Sequence, residues 1–279
     1  MPDAVPGPRR IFIGERHGLV IDCVAWDSAG ADVDLSFAGL FEREMPGAAM
    51  GGGLLDLDQA LSGALARLRA SGDFTAEPMD TLLLERLPHG VRARTIMLIG
   101  LGDPTKLQAD LLERATRVAF REASRLRAGS VAFAPSLLDT GLKPEATAGA
   151  PLAMMAGLLS ALATQRRLAE AGLGLEPTVS RWSFDAGASH VDAVAKAFKV
   201  AFDAFGRDGH RLSPRQLACL RLVAVGKTTL EIAAELGISN RTVEQYVADA
   251  CARLGVRTRI EAVVKSVRLG LISDQPSVI

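Results

Sequence analysis

The chain has 279 residues, room for two domains of ordinary size, and its 48% apolar and 23% charged residues have the balance of a soluble globular protein. Lys plus Arg and Asp plus Glu both number 32, so no net charge points to a polyelectrolyte, and three scattered cysteines, Cys23, Cys219 and Cys251, read as reduced thiols of a cytoplasmic protein, not a disulfide framework. No apolar run reaches the length of a membrane span, the first eight residues lack the charged-then-apolar order of a signal peptide, and His17, His89, His190 and His210 have no partner at metal-ligand spacing; neither a membrane, a metal nor a cofactor is expected.

In chain order, Arg10–Ile13 and Leu19–Trp26 read as strands and Leu57–Ala70 as an amphipathic helix. Thr81–Leu87 and Thr95–Gly100 are apolar strands, followed by a long helix over Leu107–Arg127 and a short strand over Val131–Ala134. An Ala-rich helix over Glu145–Ala171, a strand over Val179–Phe184 and a helix over Ser189–Phe205 complete the series. The alternation predicts an α/β domain over residues 10–206, a mixed sheet flanked by helices. Gly51, Gly52 and Gly53 form a loop leading into a helix, where bare backbone N–H groups can approach an anion, with Gly100 and Gly102 as a second wall. These five glycines are the candidate ligand site, for a phosphorylated small molecule. The plain alternative is a surface loop, in which Asp56 and Asp58 repel phosphate. No nucleophile, base or metal cluster stands out, so no catalytic residue is assigned and no enzyme is expected.

Several stretches of this domain resemble the N-terminal domain of leucyl (cytosol) aminopeptidases, which is related to macro domains. They are Leu57-Asp58-Gln59-Ala60-Leu61-Ser62-Gly63-Ala64-Leu65, Ser71-Gly72-Asp73-Phe74, Thr81-Leu82-Leu83-Leu84 and Ile96-Met97-Leu98-Ile99-Gly100-Leu101-Gly102. The resemblance implies a macro-like fold. In that family this domain is non-catalytic; no stretch here resembles the zinc-binding segment of the separate catalytic domain, so no peptidase activity is inferred. The macro-like relation implies a nucleotide or ADP-ribose-like ligand for the glycine loop.

Residues 207–210, short and polar, read as a linker to a second domain at 211–273. Residues 207–279 hold eleven Lys/Arg against seven Asp/Glu, while the preceding part holds 21 against 25, so the C-terminal end is the mildly basic one. Four helices are marked by their caps. Ser213-Pro214-Arg215-Gln216, Thr228-Thr229-Leu230-Glu231 and Thr258-Arg259-Ile260-Glu261 are capping boxes, Ser239 caps the third helix, and Gly226, Gly237, Gly255 and Gly270 close the four. In the third helix Val243, Val247, Ala250, Cys251 and Leu254 share one face, and Arg241, Glu244, Gln245 and Ala248 the other. Only Gly237-Ile238 and the cap join the second helix to the third, the helix-turn-helix connection.

Leu212-Ser213-Pro214-Arg215-Gln216, Glu231-Ile232-Ala233, Leu236-Gly237-Ile238-Ser239, Arg241-Thr242-Val243-Glu244 and Leu254-Gly255-Val256 together resemble the LuxR-type helix-turn-helix domain, an all-α unit of four helices. The resemblance implies that the helix around 240–254 enters the major groove of double-stranded DNA and that the fourth helix helps pair two copies. The candidate contacts are Lys227, Thr228, Asn240, Arg241, Thr242, Glu244, Gln245 and Tyr246. Lys227, Thr228, Arg241, Thr242 and Tyr246 suit phosphates. Glu244 suits a cytosine amino group or stands as a solvated charge, both readings being open. The expectation is a DNA-binding transcriptional regulator, a homodimer or higher homo-oligomer, with the N-terminal domain for oligomerisation or effector sensing. The alternative is a sensor or enzyme for a nucleotide-like ligand, with DNA binding secondary.

Overall fold

Seven strands form one mixed sheet among the residues that the computed structural model describes, which are 8–26, 29–205, 212–254, 256–268 and 271–272. The elements are β1 (Arg10–Arg16), β2 (Leu19–Val24), β3 (Leu35–Leu40), α1 (Gly52–Ala60), α2 (Ala64–Ser71), β4 (Thr81–Leu84), β5 (Thr95–Gly100), α3 (Ala109–Arg125), β6 (Ser130–Ala134), α4 (Ala150–Glu170), β7 (Arg181–Asp185) and α5 (Val191–Phe205). Four helices follow: α6 (Pro214–Ala224), α7 (Thr229–Leu236), α8 (Asn240–Leu254) and α9 (Arg259–Arg268). The strand order is β1-β2-β7-β6-β3-β5-β4, parallel throughout the five inner strands and antiparallel at both outer pairs. The expected α/β sheet flanked by helices and the helical C-terminal unit both form.

Alternating side chains give the sheet two apolar faces. On one, Phe37, Phe133, Trp182 and Phe184 make an aromatic cluster; Phe120 of α3 lies 5.9 Å from Trp182, and Phe198 of α5 stacks on Phe184 at 4.0 Å. Gly157 lets α4 press against α3, since a Cβ there would meet the Glu113 carbonyl oxygen at 2.2 Å. On the other face Val24, Ala38, Leu40, Ile96, Leu98 and Ala132 pack with Leu54, Leu57, Leu61 and Leu65 of the α1–α2 region. At the β1 side, the Asp22 carboxylate, 1% exposed, accepts from both Arg10 and Arg181 at 2.5 Å.

The structure corrects the sequence expectations at several points. Strand β3 was not anticipated. All six of its residues are buried, so it shows no alternation, and Ser36 and Gly39 interrupt its apolar run. The single helix expected over Leu57–Ala70 is two, broken at Ser62 and Gly63, whose φ angles are +57° and +78°. Asp58 makes that break favourable, its carboxylate accepting from Leu65 N at 2.8 Å and Ala66 N at 3.2 Å at the start of α2. The segment Pro144–Glu170 is, against expectation, long and apolar enough to cross a membrane by length and composition; with 56% of its most apolar window buried in the molecule, it is packed here as a core helix. The chain divides into two compact units, Met1–Val200 and Ala201–Ile279. The expected linker at 207–210 lies outside the described residues.

Two outcomes follow from this packing. A Cβ at Gly100 would meet the Glu77 carbonyl oxygen at 1.9 Å, and one at Gly39 the Pro135 oxygen at 2.7 Å, whereas Gly90 has open space around it. In urea unfolding, Gly100→Ala and Gly39→Ala are expected to lose about 1–3 kcal/mol from overpacking, and Gly90→Ala to stay within about 0.5 kcal/mol of the parent. Cys23 is fully buried, and burial, then the charges of Asp185 and Asp22, push its thiol up to about 12; burial also raises Cys219 and Cys251. The folded protein should therefore react slowly with a thiol-disulfide reagent at about pH 8, where ordinary thiols are partly ionised, and all three cysteines should react once the chain is denatured. Rapid labelling of the folded chain would contradict the burial.

Candidate nucleic-acid interface

The C-terminal unit is built from helix starts whose N–H groups find side-chain oxygens. Ser213 Oγ accepts from Gln216 N at 3.2 Å while Gln216 Oε1 accepts from Ser213 N at 2.7 Å, a complete capping box over α6. Thr228 and Glu231 repeat it over α7, with Thr228 N donating to Glu231 at 2.7 Å. The Thr228 N–H and hydroxyl hold the Glu231 carboxyl below its ordinary range. Gly237 ends α7 at φ +63°, a conformation that favours glycine, and Ile238 N bonds to the Ala233 carbonyl at 3.0 Å. One residue later Ser239 Oγ takes Thr242 N at 3.1 Å and α8 begins. The box expected at Thr258 is only half formed. Thr258 Oγ1 takes Glu261 N at 3.1 Å, but the Glu261 carboxylate takes Arg257 N at 2.9 Å, one residue earlier than the motif implies. Lys265 closes the end of α8 by donating to the Leu254 carbonyl at 2.6 Å.

Two small cores orient α8. Val243 packs with Cys219, Ile232 and Ala233 against α6 and α7, and Ala250, Cys251 and Leu254 pack with Leu212, Leu220, Ala262 and Ile272. With Val243 at 1% and Leu254 at 0% exposure, the opposite face of α8 must look outward, and Asn240, Arg241, Glu244, Gln245 and Ala248 are all exposed. Arg241 and Glu244 make no ion pair with another described residue. Of the other predicted contacts, Lys227, Thr228, Thr242, Gln245 and Tyr246 have prior engagements. Lys227 pairs with Glu235, and Thr228 is spent on its cap. The Thr242 hydroxyl lies 2.8 Å from that of Ser239, Gln245 donates to Asp249 at 2.8 Å, and the half-buried Tyr246 ring packs against the Val243 core.

A groove of about 550 Å³ runs along α8, with Val243, Val247 and Cys251 in its lining and Glu244 and Ala248 on its α8 side. Arg257 and Arg259, at the head of α9, line the same groove. Sequence reasoning did not select them. The signal was present, two arginines flanking a capping threonine, but only the fold brings that threonine's neighbours to α8. On α9, Ile260 and Val264, four residues apart, are 68% and 44% exposed.

The candidate glycine site of the N-terminal unit is arranged otherwise than the sequence suggests. Gly51–Gly53 do enter the first turn of α1, but Leu54 N already donates to the Asp139 carboxylate at 3.0 Å and Gly51 N to the Asp139 carbonyl at 2.9 Å. Burial raises the Asp139 carboxyl, against the Leu54 N–H, with Asp56 adding to the rise and His190 opposing it. The N–H groups of Gly100 and Gly102 bond to Asp80 and Ala76 at 2.8 Å each, closing the 76–80 segment over the end of β5.

Residues 210–266 match the family described as bacterial regulatory proteins, luxR family. Residues 39–163 match the cytosol aminopeptidase family, N-terminal domain. The spore germination protein GerE of Bacillus subtilis is 42% identical over 59 residues, 21% of this chain and 80% of GerE. A probable cytosol aminopeptidase of Alkaliphilus oremlandii is 35% identical over 92 residues, 33% of this chain and 18% of that protein. A mutant macrodomain of Oceanobacillus iheyensis, solved with ADPR, superposes with a TM-score of 0.50 at 12% identity over 71% of this chain and 98% of that one, a likeness of fold alone. The chain spans only 18%, 19% and 22% of the length of three of the curated relatives it matches, two aminopeptidases and one transcriptional activator. Through residues 210–266, whose GerE-like part covers most of that relative, the chain belongs to the luxR family of bacterial regulatory proteins, and it carries ahead of them a region resembling the aminopeptidase N-terminal domain.

Proposed function

We propose that this chain is a transcriptional regulator that binds double-stranded DNA as a homodimer in the cytoplasm, without catalytic activity of its own, and that the N-terminal unit serves oligomerisation or effector sensing. The observation that carries the reading is the orientation of α8. Its apolar stripe is buried from Val243 to Leu254, and the face so turned outward carries Arg241, Glu244 and Gln245 in a unit that covers most of GerE. A helix held by a short turn with a polar outer face suits the major groove. Arg241, Arg257 and Arg259 are assigned to phosphates, as is Lys227, which exchanges Glu235 for DNA. Glu244, Gln245 and Asn240 are assigned to base edges. The Ile260–Val264 stripe is assigned to the two-fold contact, which sets two α8 helices about one DNA turn apart on a roughly palindromic site.

The test is selection of bound genomic fragments followed by gel-shift titration on the recovered sequence. A preferred site with salt-dependent affinity is expected; no enriched sequence and no salt-dependent binding would refute the reading. Within it, Arg241→Ala should weaken binding to cognate and scrambled duplexes alike and reduce the magnitude of the salt slope by roughly one unit. Glu244→Ala or Gln245→Ala should instead cost about 1–3 kcal/mol on the preferred site and little elsewhere. A folded variant carrying all three changes that kept parental affinity and selectivity would remove α8 from the interface.

The dimer contact has its own measurement. Ile260→Asp with Val264→Asp places two charges on an already exposed face. Helicity should therefore be kept, while binding to a two-half-site duplex falls toward that of a single half-site. Unchanged cooperativity on the two-half-site duplex would assign dimerisation elsewhere.

A further inference from the structure

In an open α/β sheet, ligands sit outside the carboxyl ends of the strands, where neighbouring connections leave toward opposite faces. Strand β3 has such a crevice on each side. Its own connection leads to α1 and α2 on one face, whereas β6 leads on to α4 and β5 to α3, the helix that meets Trp182 across the other face. The β3–β6 crevice is bridged by the chain's own hydrogen bonds. Met45 N donates to the Thr140 carbonyl at 3.0 Å, Gly51 N to that of Asp139 at 2.9 Å, and the Asp139 carboxylate occupies the first turn of α1.

The β3–β5 crevice is open, with a volume of about 360 Å³, toward the lower end for small-molecule sites. Leu101, Leu111 and Pro78 supply its apolar lining. Glu42, which follows β3, stands with its carboxylate 3.7 Å from where a Cβ on Gly102 would be. Asp103 shares the lining, bonded to Arg43 at 2.8 Å, with its carboxyl held below the ordinary range by the Thr105 hydroxyl and N–H. Lys106 and, on α3, Arg114 provide the cations of the lining; Lys106 acts on Asp103 through its charge, and neither forms a salt bridge within 4 Å among the described residues. Asp110, in the first turn of α3, completes the charged rim.

We propose that this crevice binds a small zwitterion, an α-amino acid or a dipeptide, with its ammonium on Glu42 and its carboxylate on Lys106 and Arg114. The charge balance selects the class. A phosphorylated ligand would bring its charge against Glu42, Asp103 and Asp110, and a simple cation would meet Lys106 and Arg114. A ligand carrying both signs leaves neither set unpaired, and the Leu101–Pro78 surface accepts its apolar part. The proposal concerns the N-terminal unit and stands whether or not α8 reads DNA.

The experiment is calorimetric titration of the full chain, without DNA, with leucine, arginine, glutamate, glycylglycine and leucylglycine, each beside its N-acetylated and its amidated form. Saturable binding of at least one zwitterion is expected, weakened about tenfold or more in either blocked form, as loss of one charge-assisted contact does. Glu42→Gln and Arg114→Gln should each weaken it similarly, with unchanged circular dichroism, since both side chains are exposed. No saturable heat from any zwitterion at millimolar concentration would overturn the proposal. So would blocked forms binding as well as free ones, or binding indifferent to both variants. ADP-ribose, titrated in parallel, should give no heat that Arg114→Gln abolishes; if it does, the crevice is a phosphate site and the zwitterion assignment is wrong.

Discussion

The first turn of a helix carries N–H groups with no partner inside the helix, and the oxygens that take them shape both units of this chain. In the C-terminal unit these oxygens are local. Ser213, Thr228, Ser239 and Thr258 each sit just before the helix they serve, so the start of every helix there is written into a few consecutive residues. Because Gly237 ends α7 and Ser239 starts α8 two residues later, the pair has little freedom in its crossing. The outward face of α8 is thereby a consequence of backbone satisfaction as much as of hydrophobic burial. In the N-terminal unit the oxygens come from farther away. Asp58 reaches from α1 to α2, and Asp139 reaches α1 from the segment after β6.

The outer face of α8 is not a bare cationic surface. Lys227 and Gln245 already hold Glu235 and Asp249, and Glu244 adds a negative charge near the centre of the face. Binding to DNA on this surface must replace internal polar contacts with contacts of the same kind, so part of the phosphate attraction is offset before it appears as affinity. In the proposed complex the side chains without an ion-pair partner among the described residues, Arg241 first, would contribute their full counterion release. Glu244 works in the other direction. In the proposed complex it would be repelled by the phosphate backbone everywhere and accepted only where a base presents an amino group, which would raise the cost of non-cognate sequences.

How far the sequence was legible depended on the range of each interaction. Capping motifs span four residues, so all four helix starts of the C-terminal unit could be located, and only the return contact at Thr258 differs, where Glu261 takes the N–H of Arg257. Strand β5 showed itself as an apolar run, whereas β3, equally buried, did not; Ser36 and Gly39 break its run, and Gly39 is there because Pro135 and Leu101 lie against it. The break between α1 and α2 has a local signal in Gly63, but its cause is the Asp58 carboxylate, which the heptad-like apolar spacing concealed. Arg257 and Arg259 reach the groove along α8 only through the packing of α9 on α8.

The glycine loop shows why residue type alone underdetermines a site. Three consecutive glycines before a helix are compatible with a bound phosphate, because bare N–H groups and a helix start attract any anion. Here the anion is Asp139, 85 residues from Leu54 in the chain, and no local pattern announces it. A Cβ on Gly52 would stand 2.2 Å from the Asp139 Oδ1, at a φ of +51°. Glycine at that position is thus required by the internal carboxylate itself. A similar requirement explains the second pair of glycines, since Gly100 and Gly102 admit the close approach of the 76–80 segment. Once both sets are accounted for by the chain's own backbone, the side of β3 left open is the one lined by Glu42 and Arg114, which is where chemistry beyond folding has room.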